Sequence, residues 1–308
     1  MIQIGIDFGG TKIEAAALSS DGRVLSTLRT PTPGDYDSAL AAVRDLVART
    51  EQAAGGRGSI GVGAPGSVSP RTGLVRNANT TYLNGRRFRE DLEVALERPV
   101  RLANDANCLA LSEATDGAAA GARVTFAVII GTGCGGGLVV DGKLVDGGNG
   151  VAGEWGHIPL PWPKAEESPG PQCWCGRHGC LETWISGTGF GRDFREHGGA
   201  ADLNGAAIVE AATAGDPVAT GALDRYLDRL SRGLAVIADI VDPDVFVLGG
   251  GMSNVDLLYD RLPALVGPHV FTDRWESRIV KARWGDSSGV RGAARLWTQA
   301  DWANDVAA

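Results

Sequence analysis

The sequence contains one layout twice, as I-G-I-D-F-G-G-T-K-I-E-A-A-A-L-S-S-D-G-R-V-L at residues 4–25 and as V-I-I-G-T-G-C-G-G-G-L-V-V-D-G-K-L-V at residues 128–145. Each copy predicts a strand, a glycine turn that carries a threonine, a second strand, an Asp-Gly turn and a third strand. A repeat of such a unit at this separation indicates two similar α/β lobes that face each other. A chance likeness between two glycine-rich hairpins is the alternative.

The rest of the chain shows helical and strand patterns around these two copies. Apolar spacing predicts helices over 38–53, 88–96, 107–115, 221–240 and 289–303, and apolar runs predict strands over 59–64, 100–103, 124–130 and 244–248. We expect an N-terminal lobe over 1–118, with a C-terminal helix over 290–308 packed back on it. The C-terminal lobe is expected over 119–289.

Composition argues against several classes of protein. The 308 residues carry 29 Lys and Arg against 37 Asp and Glu, a net charge of −8, which disfavours a dedicated nucleic-acid or anionic-membrane partner. No apolar run is long enough to span a membrane, and no secretory signal follows Met1. The cysteines number five, and three of them lie within eight residues, which fits a cytosolic metal site better than a disulfide framework. We therefore expect a cytoplasmic protein.

Three glycine turns are candidates for phosphate binding, because backbone N–H groups at such turns can cradle phosphate oxygens. They are Gly9-Gly10-Thr11-Lys12, Gly131-Thr132-Gly133 and Gly249-Gly250-Gly251. None matches a Walker P-loop or a Rossmann fingerprint. One turn alone is equally compatible with a structural hairpin, but the set predicts one nucleotide held between the two lobes. Asp7, at the end of the first strand, would then face the phosphates and hold Mg²⁺ through water.

The stretch A-N-D-A-N, residues 103–107, places Asp105 between a strand and a helix. An aspartate there is often only a helix N-cap. The functional alternative is a general base, because the carboxyl ends of strands face the ligand crevice in α/β sheets. Asn104 and Asn107 would then offer neutral hydrogen-bond partners to the hydroxyls of a polyol.

The clearest chemical signal is C-W-C-G-R-H-G-C, residues 173–180. Three thiolates in this spacing lack one ligand for a closed tetrahedral zinc site, and His157 and His178 are both candidates for the fourth position. Such a zinc ion would be structural. It would fix two nearby glutamates, Glu154 and Glu182, although either could equally be a solvated surface residue. Cys108 and Cys134 are more typical of buried apolar positions.

Taken together, these motifs resemble the ROK family, which has the actin, hexokinase and Hsp70-type ATPase fold. The resemblance rests on D-F-G-G-T-K-I, A-P-G-S-V, A-N-D-A-N, G-T-G-C-G-G-G, G-E-W-G-H, the cysteine-rich stretch and L-G-G-G, in the family's order. It implies two RNase H-like lobes, ATP and Mg²⁺ in a cleft between them and a hexose deeper inside. It also implies Asp105 as the catalytic base and a Cys₃His zinc site completed by His157, and it admits a homodimer.

The resemblance assigns the remaining site residues position by position. Those expected at the sugar are Gly66, Asn79, Asn104, Asp105, Glu154, His157 and Glu182. Those expected at ATP are Gly5, Asp7, Gly9, Gly10, Thr11, Lys12, Gly131, Thr132, Gly133, Gly135, Gly249, Gly250 and Gly251. The zinc ligands are expected to be His157, Cys173, Cys175 and Cys180.

Within the family, three stretches look most like bacterial fructokinases: N-A-N-T-T-Y-L-N-G at residues 77–85, A-N-D-A-N-C-L-A at residues 103–110 and the long spacer 159–172. The predicted reaction is therefore transfer of a phosphoryl group from ATP to O6 of D-fructose, with mannose usable and N-acetylglucosamine poor. Glucokinase and N-acetylglucosamine or N-acetylmannosamine kinase are the enzymatic alternatives. A sugar-responsive repressor is the non-enzymatic alternative, and it is disfavoured because only residues 1–5 precede Ile6-Asp7 and leave no place for a helix-turn-helix.

Overall fold

The computed structural model describes residues 1–298 and 300–302 and divides them between two compact units. Unit 1 comprises residues 1–117, 143–152 and 286–308, and unit 2 comprises residues 118–142 and 153–285, with residues 299 and 303–308 outside the description. Within the described residues, no helix combines the length and the apolar character needed to cross a membrane.

Strands and helices alternate along both units. The strands are β1 (Ile2–Phe8), β2 (Lys12–Leu18), β3 (Val24–Pro31), β4 (Gly58–Ala64), β5 (Ser67–Val68), β6 (Val75–Arg76), β7 (Val100–Asn104), β8 (Val124–Ile130), β9 (Cys134–Val140), β10 (Lys143–Leu144), β11 (Val245–Gly249) and β12 (Arg278–Lys281). The α-helices are α1 (Tyr36–Ala54), α2 (Phe88–Leu96), α3 (Asp105–Asp116), α4 (Glu182–Ile185), α5 (Gly187–Glu196), α6 (Gly205–Thr213), α7 (Pro217–Val241), α8 (Leu257–Val266) and α9 (Ser288–Arg295).

The two large sheets repeat one topology. The first has the order β3-β2-β1-β4-β7, and the second has the order β10-β9-β8-β11-β12. In each, the first long strand pairs antiparallel with the strand that follows it and parallel with a later strand, as β1 does with β2 and β4 and as β8 does with β9 and β11. The duplication predicted from the two glycine-turn stretches is therefore confirmed, and so is the α/β fold class.

The helices begin and end where local chemistry favours it. At the start of α1, Asp35 Oδ1 accepts the N–H of Ser38, and the helix stops at Gly55, whose φ of +82° an L-residue rarely adopts. In unit 2, Asp216 caps α7 in the same way, and Pro217 occupies the first helical position. The apolar face of α7, with Leu230 and Leu234, packs in the core of unit 2 with Phe246 of β11.

Residues 143–152 do not follow the predicted lobe boundary. The sequence assigns them to a continuous lobe over 119–289, whereas they pack within unit 1. Two hydrogen bonds explain the difference: Asn107 Nδ2 donates to Asp146 Oδ1 at 3.2 Å, and Arg76 Nη2 donates to the carbonyl of Asn149 at 3.2 Å. Contacts this distant in sequence leave no local signal.

The last helix is shorter than its periodicity suggests. The prediction extended it over 289–303, or to 308 in the lobe assignment, but α9 ends at Arg295. A new turn begins at Thr298, where the backbone N–H of Asp301 donates to Thr298 Oγ1 and Asp301 Oδ2 accepts the N–H of Thr298. The described part of the predicted helix does pack on unit 1, since α9 lies against β1, β4 and α3. Residues 299 and 303–308 of that prediction lie outside the described residues.

Candidate functional site

The polar candidates of unit 1 gather at one edge of its sheet. Asp7 is paired with Gly63 in the parallel ladder of β1 and β4, and Ala64 is paired with Asn104 in that of β4 and β7. Because parallel strands bring their carboxyl ends to the same edge, Asp7, the turn at Gly66 and the start of α3 at Asp105 lie there together.

Asp105 occupies the first turn of α3 and is solvent-exposed. The N-cap of this helix is Asn104, whose Oδ1 accepts the N–H of Asn107 at 2.7 Å. The protein that surrounds the Asp105 carboxyl removes much of its hydration and raises its pKa, against the opposing effect of the Ala106 N–H bonded to Oδ1 at 2.8 Å. An accessible carboxylate with a raised pKa can receive a proton from a bound hydroxyl.

Asp7 carries the marks of a site for a cation. Burial, together with the negative charges of Asp105, Glu14 and Asp286, raises the pKa of its carboxyl to about 6, and the charge of Lys12 offsets this only in part. Repulsion among carboxylates is relieved when a divalent cation binds between them, and carboxylate oxygens are the ligands that Mg²⁺ prefers. The donor set of unit 1 therefore fits Mg²⁺ held near Asp7.

The first glycine turn is closed by its own backbone. The N–H of Gly9 donates to the carbonyl of Lys12 at 3.0 Å, which places Gly10 and Thr11 at the exposed tip. Lys12 Nζ lies 3.4 Å from Glu14 Oε2 and remains half exposed. A Cβ at Gly10 would lie 3.7 Å from Thr80 Oγ1, so the turn borders the loop that holds the exposed Asn79.

That loop has an anchor the sequence analysis missed. Asn84 Oδ1 accepts the N–H of Ala78, and Asn84 Nδ2 donates to the Ala78 carbonyl, both at 2.9 Å. This double contact holds the chain that carries Asn79. Gly66 is also constrained, because its φ is +84° and a Cβ would lie 2.5 Å from the carbonyl oxygen of Arg76. The signal for Asn84 was present in N-A-N-T-T-Y-L-N-G, where turn-forming residues flank a short apolar stretch.

Gly5 does not belong with the ATP residues. It is buried in the middle of β1, and a Cβ on it would lie 1.8 Å from the carbonyl oxygen of Val290 and 2.6 Å from the nitrogen of Ala294. The absence of a side chain allows α9 to pack against the sheet. The prediction that Gly5 contacts the cofactor is therefore wrong, and its role is packing.

In unit 2 the second and third glycine turns lie at neighbouring strand ends. Gly131 follows β8, and Gly249 ends β11, its parallel neighbour. The N–H of Gly131 donates to the carbonyl of Gly133, and Thr132 is exposed at the tip of that turn. Gly250 has a φ of +81°, and a Cβ there would lie 2.7 Å from the Ile130 carbonyl oxygen. Gly135 lies in β9, two residues beyond Gly133, and is partly buried.

The start of α5 supports the second turn, and the sequence analysis did not single it out. The N–H of Gly187 donates to the carbonyl of Gly131, and Thr188 Oγ1 donates to the carbonyl of Thr132, both at 2.7 Å. The stretch S-G-T-G at residues 186–189 was the available signal, since Ser186 is the N-cap of α5.

The three cysteines of the turn formed by residues 173–180, called the knuckle from here on, come together with one histidine. The potential ligand atoms of His157, Cys173, Cys175 and Cys180 all lie within 4.8 Å of one another. His178 is exposed, with Nδ1 3.2 Å from the carbonyl oxygen of Gly170, and is not a member of this group. The structure therefore favours His157 of the two histidines that the spacing left open.

The spacing of these atoms fits a tetrahedral ion. The Sγ atoms of Cys175 and Cys180 are 3.6 Å apart, and Cys173 Sγ is 3.6 Å from His157 Nδ1. Ligands at the usual zinc distances are separated by about 3.8 Å along a tetrahedral edge. A β-bridge between Gln172 and His178 and a bond from the N–H of Cys173 to the Arg177 carbonyl, 2.7 Å long, hold the turn in shape.

Glu182 connects this knuckle to the second glycine turn. Its Oε1 accepts the indole N–H of Trp174 at 2.7 Å, and its Oε2 accepts the backbone N–H of Cys134 at 2.9 Å. Glu154 is exposed on the short 3₁₀ turn that leads to His157. Unit 2 thus brings Glu182, His157 and the cysteines together.

Comparisons with known proteins agree with one another. The sequence profile of the ROK family matches residues 3–300. An N-acetyl-D-glucosamine kinase of Pectobacterium atrosepticum is 40% identical over 297 residues, which cover 95% of this chain and 97% of the relative. Among solved structures, a ROK hexokinase from Thermus thermophilus is 33% identical with a TM-score of 0.85, covering 96% of this chain and 97% of the other. A ROK glucokinase from Streptomyces griseus, in complex with glucose and AMPPNP, is 30% identical with a TM-score of 0.78, covering 96% and 99%.

Proposed function

The chain belongs to the ROK family, as a sugar kinase that uses ATP, and we propose that its substrate is N-acetyl-D-glucosamine. The observation that carries this choice of sugar is the 40% identity, over nearly the whole of both chains, to relatives named for that activity. The fructokinase specificity expected from short stretches of sequence has no such support. Similarity over 297 residues outweighs a likeness confined to three short segments.

In the proposed reaction Asp105 is the general base. Its exposed carboxylate accepts the proton of the attacking sugar hydroxyl, and its raised pKa strengthens it as an acceptor. Phosphoryl transfer proceeds through a loose transition state, so the remaining work is positioning and charge neutralisation. We assign sugar contacts to Gly66, Asn79, Asn104, Glu154, His157 and Glu182.

The glycine turns are assigned to the phosphates of ATP. The tip residues Gly10, Thr11 and Thr132 expose backbone and hydroxyl groups that can approach phosphate oxygens. We assign the turn at Gly249–Gly251 to the same nucleotide. Bound Mg²⁺ supplies positive charge that neutralises the phosphate oxygens, and Asp7 holds it directly or through water.

The knuckle is proposed to hold a structural zinc ion. All four protein positions of a tetrahedral site are supplied by His157 and the three cysteines, so no open position is left for substrate. The ion would stabilise the turn that carries Trp174 and leads to Glu182. Zinc would thus affect sugar binding indirectly, by fixing the positions of these side chains.

Steady-state kinetics test the choice of substrate. Release of ADP is measured with purified protein at saturating Mg-ATP for N-acetylglucosamine, N-acetylmannosamine, glucose, mannose and fructose. We expect N-acetylglucosamine to have a kcat/KM at least tenfold above each of the others. Glucose is the main rival, because the solved relatives include a hexokinase and a glucokinase. A higher kcat/KM for glucose or fructose would overturn the substrate assignment and leave the family assignment intact.

A further inference from the structure

Trp174 is a large side chain in an unusual position. It is 64% exposed although it lies between two zinc-ligand candidates, Cys173 and Cys175. Its ring meets that of His157 edge to face, with centroids 4.9 Å apart and planes at 82°. Its only polar group, the indole N–H, donates to Glu182 Oε1 at 2.7 Å. The side chain is therefore fixed by two contacts while much of its surface faces solvent.

The hydrogen bond from Trp174 helps to hold the Glu182 carboxylate in a single orientation. The terminal torsion of a glutamate is broad, so a single hydrogen bond leaves the carboxylate free to rotate. Here each oxygen has its own donor: Trp174 for Oε1 and the backbone of Cys134 for Oε2. Each oxygen keeps a second lone pair, which remains available to a sugar hydroxyl.

We propose that Trp174 is a positioning residue, which orients the Glu182 carboxylate for the sugar by donating its indole N–H. This inference rests on the proposed function, which gives Glu182 its sugar contact. It assigns the exposed indole a role in substrate affinity that is separate from holding zinc. Without the indole donor, the Cys134 N–H is the remaining hydrogen-bond donor to the Glu182 carboxylate within the described part of the chain, and the carboxylate samples several orientations. Fixing one of them then costs part of the free energy of sugar binding.

The test is a double-mutant cycle in the full-length, zinc-loaded protein. The variants are Trp174→Phe, which keeps an aromatic ring beside His157 and removes the N–H, Glu182→Gln, and the two combined. The matched control is Trp162→Phe, because Trp162 is 53% exposed in the same unit and stacks on His269. For each protein we would measure sugar and ATP KM, kcat, sugar Kd by calorimetry without ATP, zinc content and melting temperature. The sugar is the one that the wild-type protein uses best.

We expect Trp174→Phe to raise the KM and the Kd for sugar about five- to tenfold, the effect of losing one hydrogen bond of average net strength. The KM for ATP, the zinc content and the melting temperature should stay unchanged, and Trp162→Phe should match the wild type. Because Trp174 acts through Glu182, the double variant should be no worse than Glu182→Gln within about twofold.

Three results would overturn the role of Trp174. They are an unchanged sugar Kd in Trp174→Phe, losses that multiply fully in the double variant, and a loss of zinc that accompanies the loss of affinity. Failure of the proposed function is a different result, in which the wild-type protein phosphorylates no hexose at all, and it would remove both proposals together.

Discussion

Asn104 Oδ1 accepts the backbone N–H of Asn107 at 2.7 Å, and this bond assigns the capping of α3 to Asn104. From sequence, Asp105 was equally a helix cap or a general base. With the cap supplied by its neighbour, Asp105 sits one residue inside the helix, exposed and with a raised pKa. Capping therefore belongs to Asn104, and the base role proposed for Asp105 can be tested separately from it.

Asp105→Asn should remove catalysis and leave the fold intact. The amide keeps the shape of the carboxylate but cannot accept the proton, so kcat should fall by about 10²–10⁴-fold. The melting temperature should not fall, because the surrounding protein, which removes hydration from the carboxylate, already disfavours the charge that the substitution removes. Asn104→Ala is the comparison, since loss of the cap should cost about 1 kcal/mol of stability. A kcat for Asp105→Asn above a tenth of the wild-type value would exclude the base role.

Asp7 should make the protein less stable as the pH rises. The folded pKa of about 6 lies above the usual aspartate value of 3.8, so between these values the folded state binds more protons than the unfolded state. Stability contributed by this group is therefore full below about pH 4 and is lost as the pH rises through 6. Asp7→Asn should raise the free energy of unfolding at pH 8 by roughly 2–3 kcal/mol and change it little at pH 4.

The measurement is thermal or denaturant unfolding of both proteins at pH 4 and pH 8, in a magnesium-free buffer without nucleotide. Addition of Mg²⁺ at pH 8 should stabilise the wild type and have a smaller effect on Asp7→Asn, because the ion relieves repulsion among the same carboxylates. Equal unfolding free energies at pH 8, or a larger Mg²⁺ effect in the variant, would contradict this account.

Cys175→Ser should lower zinc content and melting temperature together, because the binding energy of a structural ion is part of the folding energy. The KM for sugar should also rise, since His157 and the turn that carries Trp174 lose their anchor. His178→Ala is the matched control: it lies in the same turn, outside the four-ligand group, and should keep its zinc. Zinc content is measured by metal analysis of the dialysed protein. Full activity of a zinc-free Cys175→Ser protein would refute a structural ion.

Much of the fold was predictable from the sequence because its signals are local. Period-two apolar runs and glycine turns located the main strands, and α2 has the predicted bounds. Helix α5 carries contrary local propensities, because it contains three glycines. Packing overrides these propensities, and no window of sequence shows that packing.

The site residues divide in the same way. Asp7, Asp105 and the cysteines belong to recognisable sequence motifs. Asn84, Trp174 and Thr188 are distinguished instead by side-chain hydrogen bonds that form only in the folded chain. Glycine is ambiguous by nature, because the missing Cβ serves a phosphate contact and a helix contact equally well. For this reason Gly5, which packs against α9, was predicted to contact ATP.

Gly5→Ala and Gly10→Ala should therefore have opposite consequences. At Gly5 the new Cβ would lie 1.8 Å from the backbone oxygen of Val290, so α9 must move, at a cost of roughly 3 kcal/mol or more. At Gly10 a Cβ would lie 3.7 Å from the Thr80 hydroxyl oxygen, an ordinary contact distance, and the melting temperature should stay within about 2 °C of the wild type. The KM for ATP should instead rise about tenfold, because the methyl group stands where a phosphate must approach the backbone. Melting curves and ATP titrations of the two variants separate these effects. A stable Gly5→Ala protein with weakened ATP binding would return Gly5 to the nucleotide site.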